Sequence, residues 1–310
     1  KSLGSIARSQ ACANECAKEC ELGWRGVIVD SPCKISVGGN YLILRSEEVK
    51  KIHLSEVYYL MIACPAVNIT GVALCELNRQ KIKVVFCDEK RNPYGELVGY
   101  YGCFNCSKKL KTQAAWDASV ASAINTMIIA QKIVNQAAML RKYGFDDRAE
   151  LLDEYVAEIE LDDAGNREGH AAKVYFKTLF GKDFTREKDC AVNAALNYGY
   201  SVVLSDINRA VVACGRSTQI GINHCNEFNE FNFSCDLIEP LRVIVDEYVY
   251  LQGKREFDKN YKFELVGLLN KRVKLDREYS LHDAIGVYVK NITDSLDRSR
   301  SDELLLYKFE

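Results

Sequence analysis

Three residues of this chain could do chemistry together: Glu168, His224 and Glu239. Glu168 stands in Arg167-Glu168-Gly169-His170-Ala171-Ala172, His224 in Gly221-Ile222-Asn223-His224, and Glu239 in Asp236-Leu237-Ile238-Glu239-Pro240. Two carboxylates and an imidazole can hold a divalent ion of use to phosphodiester chemistry. Each residue also has a plainer reading. Glu168 opens a predicted helix, where an acidic side chain is favourably placed against the helix dipole. His224 is one of four histidines, and a lone histidine is more often structural than a ligand. It lies in an Asn- and Phe-rich stretch, Asn223 to Phe233, whose rings suit a core better than a base-stacking platform. Asp236, Glu239 and Arg242 follow at three-residue intervals and so share one helix face. They read as a surface ion-pair ladder, or as a metal ligand, an accessory acid and a phosphate clamp. Spacing leaves both open.

The elements that must position these residues come in two kinds. From Trp24 to about Tyr101 the pattern is β-rich. Val27 to Val29, Lys34 to Val37, Tyr41 to Leu44, Val57 to Ile62 and Val84 to Phe86 are strand-like runs. Gly38-Gly39-Asn40 is a hairpin signal between the second and third. Thr70 to Gln80 predicts one short helix. The composition then changes. Residues 112–143 contain no Gly or Pro, and Ile124, Met127, Ile128, Ile133 and Val134 recur at helical spacing. Further helices are predicted over 171–179, 189–213 and 237–251, with Pro240 near a helix start, where proline is tolerated. Gly169, Ala171 and Ala172 beside Glu168 leave room for close approach, and Tyr175 and Phe176 can anchor that helix. The expected fold class is α+β: a small β-rich N-terminal domain over 22–105, then a larger all-α domain over 112–310 that carries the site. Residues 1–21 read as a separate, frayed or weakly helical extension, in which Cys12, Cys16 and Cys20 recur every four residues.

Bulk composition is that of an ordinary soluble globular protein, with 48% hydrophobic and 27% charged residues over 310 positions. No apolar run reaches the roughly 18 residues of a transmembrane helix, and no secretory signal is visible, so a cytoplasmic location is expected. The 13 cysteines are an odd number scattered through apolar stretches, which suits reduced, buried thiols. Cys103 and Cys106 form a Cys-x-x-Cys without the second pair that a structural zinc needs, so packing is their expected role. The net charge of −2 lacks the basic excess of a nucleic-acid binder. Any such surface is therefore local; candidates are Lys108, Lys109 and Lys111, then Arg141 and Lys142, Lys254 and Arg255, and Lys271, Arg272 and Lys274. Gly-rich phosphate loops and a G-x-S-x-G elbow are absent, so ATP hydrolysis, hydride transfer and serine esterase chemistry have no support.

At these residues the chain resembles the CRISPR-associated integrase, the catalytic subunit of spacer acquisition, and most of all its type II branch. The resemblance covers nearly all of residues 22–310. It runs through Gly23-Trp24-Arg25, Ile52 to Val57, Val85 to Arg91, Ile129-Ala130-Gln131-Lys132-Ile133, Asn166 to Ala172, Phe184-Thr185-Arg186-Glu187, Asn193 to Tyr200, Thr218 to His224 and Phe231 to Pro240. It implies that Glu168, His224 and Glu239 ligate Mg²⁺ or Mn²⁺, and that Asp236 and Arg242 correspond to an accessory acid and a basic residue near the site. The implied activity is metal-dependent DNA endonuclease and integrase chemistry: a 3′-hydroxyl attacks a phosphodiester and inserts short foreign DNA into a CRISPR array. The implied partners are double-stranded DNA, a second copy of the chain, a small companion protein bridging two dimers, and, in the type II branch, an RNA-guided effector and a ring-shaped accessory protein. The N-terminal domain would serve dimerisation and DNA contact. Two rivals remain, a general metal-dependent nuclease that joins no strands and a non-catalytic DNA-binding scaffold.

Overall fold

Runs of β-branched and aromatic residues in the N-terminal region fold as strands, as their packing preferences favour. The computed structural model describes residues 25–89, 91–99 and 105–310. The extension 1–21 and Cys103 lie outside the described residues. The first strands are β1 (Arg25–Val29), β2 (Lys34–Gly38), β3 (Tyr41–Arg45), β4 (Val49–His53), β5 (Val57–Ile62) and β6 (Asn68–Ile69). Helix α1 (Gly71–Arg79), β7 (Lys83–Cys87) and β8 (Pro93–Glu96) complete this region. One sheet has the order β1-β5-β7-β8, with the first three parallel and β8 antiparallel at the edge. The other has the order β4-β3-β2-β6. Gly39 and Asn40 turn the β2–β3 hairpin with φ of +59° and +65°, the left-handed conformation that a two-residue hairpin loop requires. Strand β4 was not expected. Its Val-Lys-Lys-Ile-His pattern does not alternate, but two exposed lysines suit an edge strand, where charge discourages further pairing.

Strand β5 is buried along its whole length and serves two cores. Arg25 pairs with Val57 and Gly26 with Tyr59, so Tyr58 is an extra residue in a bulge. Beyond the bulge the faces alternate. Leu60 and Ile62 join Ile35, Leu42, Leu77 and Val84 in the smaller core. Tyr59, Met61 and Ala63 join the larger core, which the helices build.

That region comprises α2 (Cys106–Gln113), α3 (Ala118–Lys142), α4 (Asp146–Ala157), α5 (Arg167–Phe180), α6 (Ala191–Ala213), α7 (Asn232–Ile238), α8 (Arg242–Gln252), α9 (Lys259–Gly267) and α10 (Leu281–Asp297). Three expectations need correction. The helix predicted from 112 starts at Ala118, where the Asp117 side chain accepts the N–H groups of Ser119 and Val120 at 2.9 and 3.1 Å. The helix predicted over 237–251 is interrupted by a 3₁₀ turn at Glu239–Leu241, where Pro240 offers no backbone donor. The region is also not purely helical: β9 (Arg272–Lys274) and β10 (Glu278–Ser280) form a short antiparallel hairpin. Among the described residues no helix is long and apolar enough to cross a membrane. Cys33, Cys64, Cys87, Cys190, Cys214 and Cys235 are free thiols, half-buried rather than fully enclosed, and Cys75 and Cys225 are exposed.

Candidate active site

Helix α3 is apolar for most of its length, yet it carries Lys132 and Asn135 one turn apart on the same side. Asn135 is buried. Its amide donates to the carbonyls of Pro240 at 2.8 Å and Tyr307 at 2.9 Å, and its oxygen accepts the Phe309 N–H at 3.1 Å. These bonds lock the 3₁₀ turn against α3 and so bring Glu239 to Lys132. The Lys132 ammonium donates to both Glu168 and Glu239. Arg242, one turn beyond Glu239, grips the same carboxylate: Nε lies 3.0 Å from each oxygen and Nη2 2.8 Å from Oε1. Its guanidinium rests 4.6 Å from the centre of the Tyr200 ring.

Below this layer Asp246 of α8 is buried and accepts the phenol hydrogens of Tyr200 from α6 and Tyr175 from α5, the latter at 3.1 Å. Tyr175 is two turns along the helix that Glu168 begins, so one buried carboxylate ties together three helices that frame the site. Burial pushes the Asp246 carboxyl up to about 6, against the pull of the two phenols. Glu239 goes the other way. Burial alone would raise it, but the charges of Arg242 and then Lys132 overcome that and hold it at about 2. The same attraction keeps Lys132 raised despite its burial, with Glu239 and then Glu168 opposing the cost of desolvation.

Glu168 enters through an unusual helix start. Asp162, Asp163 and Asn166 all have positive φ, at +57°, +53° and +50°, a conformation that Asn and Asp tolerate best among residues with a Cβ. The Asp163 carboxylate accepts the N–H groups of Arg167 at 2.7 Å and Glu168 at 2.9 Å, which caps α5 and fixes Glu168 in its first turn. A Cβ on Gly169 would lie 2.6 Å from the Asn166 Oδ1, so glycine there leaves the Asn166 side chain its place.

His224 is positioned by a loop rather than a helix. Asp236, buried in α7, accepts the backbone N–H groups of Ile222, Asn223 and His224 at 2.7, 3.3 and 3.0 Å. It also bonds His224 Nδ1 at 2.6 Å. In the neutral ring that leaves the Nε2 lone pair available to a ligand. A Cβ on Gly221 would meet the His224 carbonyl oxygen at 2.4 Å and Asp236 Oδ2 at 2.7 Å, so only glycine lets the loop wrap the carboxylate. Gln113 braces the far end, donating to the carbonyls of Ser217 and Ile220 at 2.9 Å each. His224, Asn226, Asn229 and Asn232 line an open cleft of about 400 Å³. The His224 pKa is raised, first by the hydrogen bond to Asp236 and further by the charges of Asp236, Glu239 and Glu168. The two carboxylates therefore act on the imidazole across the site.

The donor types fit a divalent ion: two carboxylates and one imidazole nitrogen. Among the described residues, however, no three His, Cys, Asp or Glu side chains close up as a metal cluster. The positive charge between Glu168 and Glu239 is the Lys132 ammonium. Glu168, Glu239 and Arg242 are brought together, and His224 is paired with Asp236. Asp236 does not continue the Glu239–Arg242 pair: it turns to the loop. The surface-ladder reading fails because Asp236 and Glu239 are buried.

Sequence reasoning singled out neither Lys132 and Asn135 nor Asp163, Tyr200 and Asp246. The available signal was the polar residues of Gln131-Lys132-Ile133-Val134-Asn135-Gln136, set between the apolar runs Met127 to Ala130 and Ala137 to Leu140 of one helix. Of the expected basic patches, several are engaged internally. Lys109 donates to the Cys214 carbonyl at 2.7 Å, Lys142 and Lys271 pair with Glu247 at 2.9 and 2.8 Å, and Arg255 pairs with Glu264 at 2.6 Å. Lys108 and Lys111 stay exposed beside Trp116.

Comparison with known proteins gives the geometry its context. The profile of the family described as CRISPR associated protein Cas1 matches residues 27–265. The chain belongs to the Cas1 family. It is 32% identical over 262 residues to the CRISPR-associated endonuclease Cas1 of Neisseria meningitidis, covering 83% of this chain and 86% of that one. Among solved structures it is similar in fold to a chain of a Cas6-RT-Cas1–Cas2 complex, with a TM-score of 0.74 and 18% identity, covering 94% of this chain but only 37% of that longer one. It is similar as well to a casposase bound to its integration product, with a TM-score of 0.69 and 17% identity, over 91% of this chain and 92% of the other. The expected α+β architecture, strands first and helices after, is that of Cas1.

Proposed function

We propose that this Cas1 protein is a metal-dependent DNA integrase and endonuclease of spacer acquisition. The carrying observation is that Glu168 and Glu239, 71 positions apart in sequence, meet at one cation while Asp236 holds the His224 ring, on which both their charges act. Glu168, Glu239 and the His224 Nε2 would hold Mg²⁺ or Mn²⁺, which when bound supplies Lewis-acid polarisation of a phosphate. Asp236 keeps the imidazole tautomer that presents Nε2. Arg242 offsets the charge of Glu239 and stands beside it, where it can meet a phosphate oxygen. In the reaction a DNA 3′-hydroxyl attacks a target phosphorus, the bond to the leaving 3′-oxygen breaks, and one phosphodiester replaces another. With water as nucleophile the same site cuts, in keeping with the endonuclease name of the Neisseria relative.

The substrates we propose are double-stranded spacer precursor and CRISPR repeat. A second copy of the chain and a small companion protein complete the assembly. The similarity to a casposase bound to an integration product and to a chain of a Cas1–Cas2 complex supports that choice. The plain nuclease is the second reading, since the same donors serve it.

A near-balanced transesterification runs in reverse on a branched DNA that mimics the half-integrated product. Purified protein is incubated with labelled branched DNA in Mn²⁺, Mg²⁺ or EDTA, beside His224→Ala. Metal-dependent release of the branch with resealing of the target strand, lost in the variant, is the expected result. Cleavage without resealing identifies the plain nuclease instead. Binding without reaction in any metal leaves the scaffold or a reaction that requires the companion protein, and repeating the assay with that protein added separates the two.

A further inference from the structure

Lys132 touches both carboxylates of the site, and the proposed chemistry gives it no role. Its side chain is 12% exposed, and its ammonium bridges Glu168 and Glu239, whose side chains are 31% and 9% exposed. Two carboxylates converging on one point repel, and the repulsion is strong where water is scarce. Here the cluster is neutral: Glu168 and Glu239 against Lys132 and Arg242. Of the two carboxylates, Arg242 bonds Glu239. The cation shared by the pair is Lys132. A divalent ion held by the same two carboxylates needs the space and the charge that Lys132 supplies, and an added 2+ charge beside both cations would leave the cluster at +2.

We propose that Lys132 is a displaceable internal cation that occupies the place of the metal between Glu168 and Glu239 and competes with it. This rests on the metal-site reading above. The residues around it suit such an exchange. Asn135 holds the 3₁₀ turn to α3 through its side-chain amide, which donates to the Pro240 carbonyl without involving Lys132, so Glu239 keeps its position when the ammonium leaves. Asp163 holds the start of α5 in the same way, so Glu168 keeps its own. The four-carbon lysine stem can withdraw without moving the helix. The metal-free protein is thereby spared an uncompensated carboxylate pair, and metal binding is weakened by the work of expelling an ammonium.

The test reads metal binding and lysine chemistry rather than turnover. Free Mn²⁺ is titrated against the full chain by electron paramagnetic resonance, with Lys132→Met, Lys132→Arg, Glu168→Gln and Glu239→Gln. The expected result is roughly tenfold tighter Mn²⁺ binding in Lys132→Met, the scale of one like-charge contact at partial burial. Lys132→Arg, which keeps the charge, should not gain. Equal or weaker binding in Lys132→Met, with wild-type binding intact and lost in Glu239→Gln, overturns the proposal while leaving the metal site standing. Wild-type protein whose Mn²⁺ binding is indifferent to Glu168→Gln and Glu239→Gln removes the metal site and the proposal together. A second measurement needs no variant: acylation of Lys132 by acetic anhydride, followed by mass spectrometry. Mn²⁺ should raise its rate several-fold as the amine is released from the carboxylates, and an unchanged rate contradicts displacement.

Discussion

The two halves of the site are built on opposite plans. On the carboxylate side, Glu239 has only 9% of its side chain exposed and is held by Lys132 and Arg242, with helices packed behind. On the imidazole side, His224 has 44% of its side chain exposed and hangs on a loop organised by one buried aspartate. The first half is a piece of the core that carries charge. The second is a surface segment that borrows its order from the core through Asp236. Stability and chemistry should therefore be inseparable in the first and separable in the second.

The sharpest way to break that contrast is to remove a buried charge. Glu239→Ala leaves Lys132 and Arg242 beside an empty space, which should cost about 3–5 kcal/mol, the usual penalty for breaking a buried pair. Strand transfer should vanish with it. Urea unfolding beside the branched-DNA assay measures both, and a folded Glu239→Ala protein of wild-type stability would contradict the packed plan. Gly221→Ala comes next. Its new Cβ collides with the His224 carbonyl, so the loop must shift at a cost of about 1–3 kcal/mol. The activity loss should match that of His224→Ala, while the site around Lys132 keeps its order, visible as unchanged amide exchange in α3.

Asp246 gives a third test, and its sign is opposite to that of Glu239. With its folded pKa raised to about 6 from an ordinary value of 3.8, Asp246 binds its proton more tightly in the folded state. Its ionisation thus weakens the fold as pH rises through that window, and stability is regained as pH falls from about 6 toward 4. Glu239, depressed to about 2 from 4.5, contributes stability above 4.5 that is lost as pH falls toward 2. Asp246→Asn should flatten the stability profile between pH 4 and 6 without altering the loss at lower pH. A denaturation series across pH reads this directly, and an unchanged slope between 4 and 6 would refute the assignment. The smallest structural effect belongs to His224→Ala, expected within about 1 kcal/mol of wild type as for an exposed side chain. Its strand transfer should nonetheless be lost, and a melting curve run beside the DNA assay checks both.

The same contrast explains what was legible in the sequence. Hydrophobic period and turn chemistry located strands β1, β2, β3, β5 and β7 and helices α1, α3, α5 and α6, because those signals are local. Strand β4 escaped because an edge strand under no demand to alternate carries no period, as Val49-Lys50-Lys51-Ile52-His53 shows. Pro240 suits a helix start as well as a break within a helix, and only packing against Asn135 selects between them. Glu168, His224, Asp236, Glu239 and Arg242 stood out through their motifs. Lys132 and Asp246 did not, because each matters only through residues far away in the chain: Lys132 is paired with Glu239, and Asp246 with Tyr175. Asp163 was hidden for a different reason. A capping aspartate beyond a left-handed Asn166 leaves no standard signature.

The bonds from Asn135 to Tyr307 and Phe309 set an order of assembly. The turn that carries Glu239 is clamped by an amide whose other partners are synthesised about 70 residues after that turn. On the ribosome, helix α3 and Glu239 are available long before their clamp is complete. The segment at 307–309 is thus the last of the three to be made, and its docking closes the clamp on the Glu239 turn.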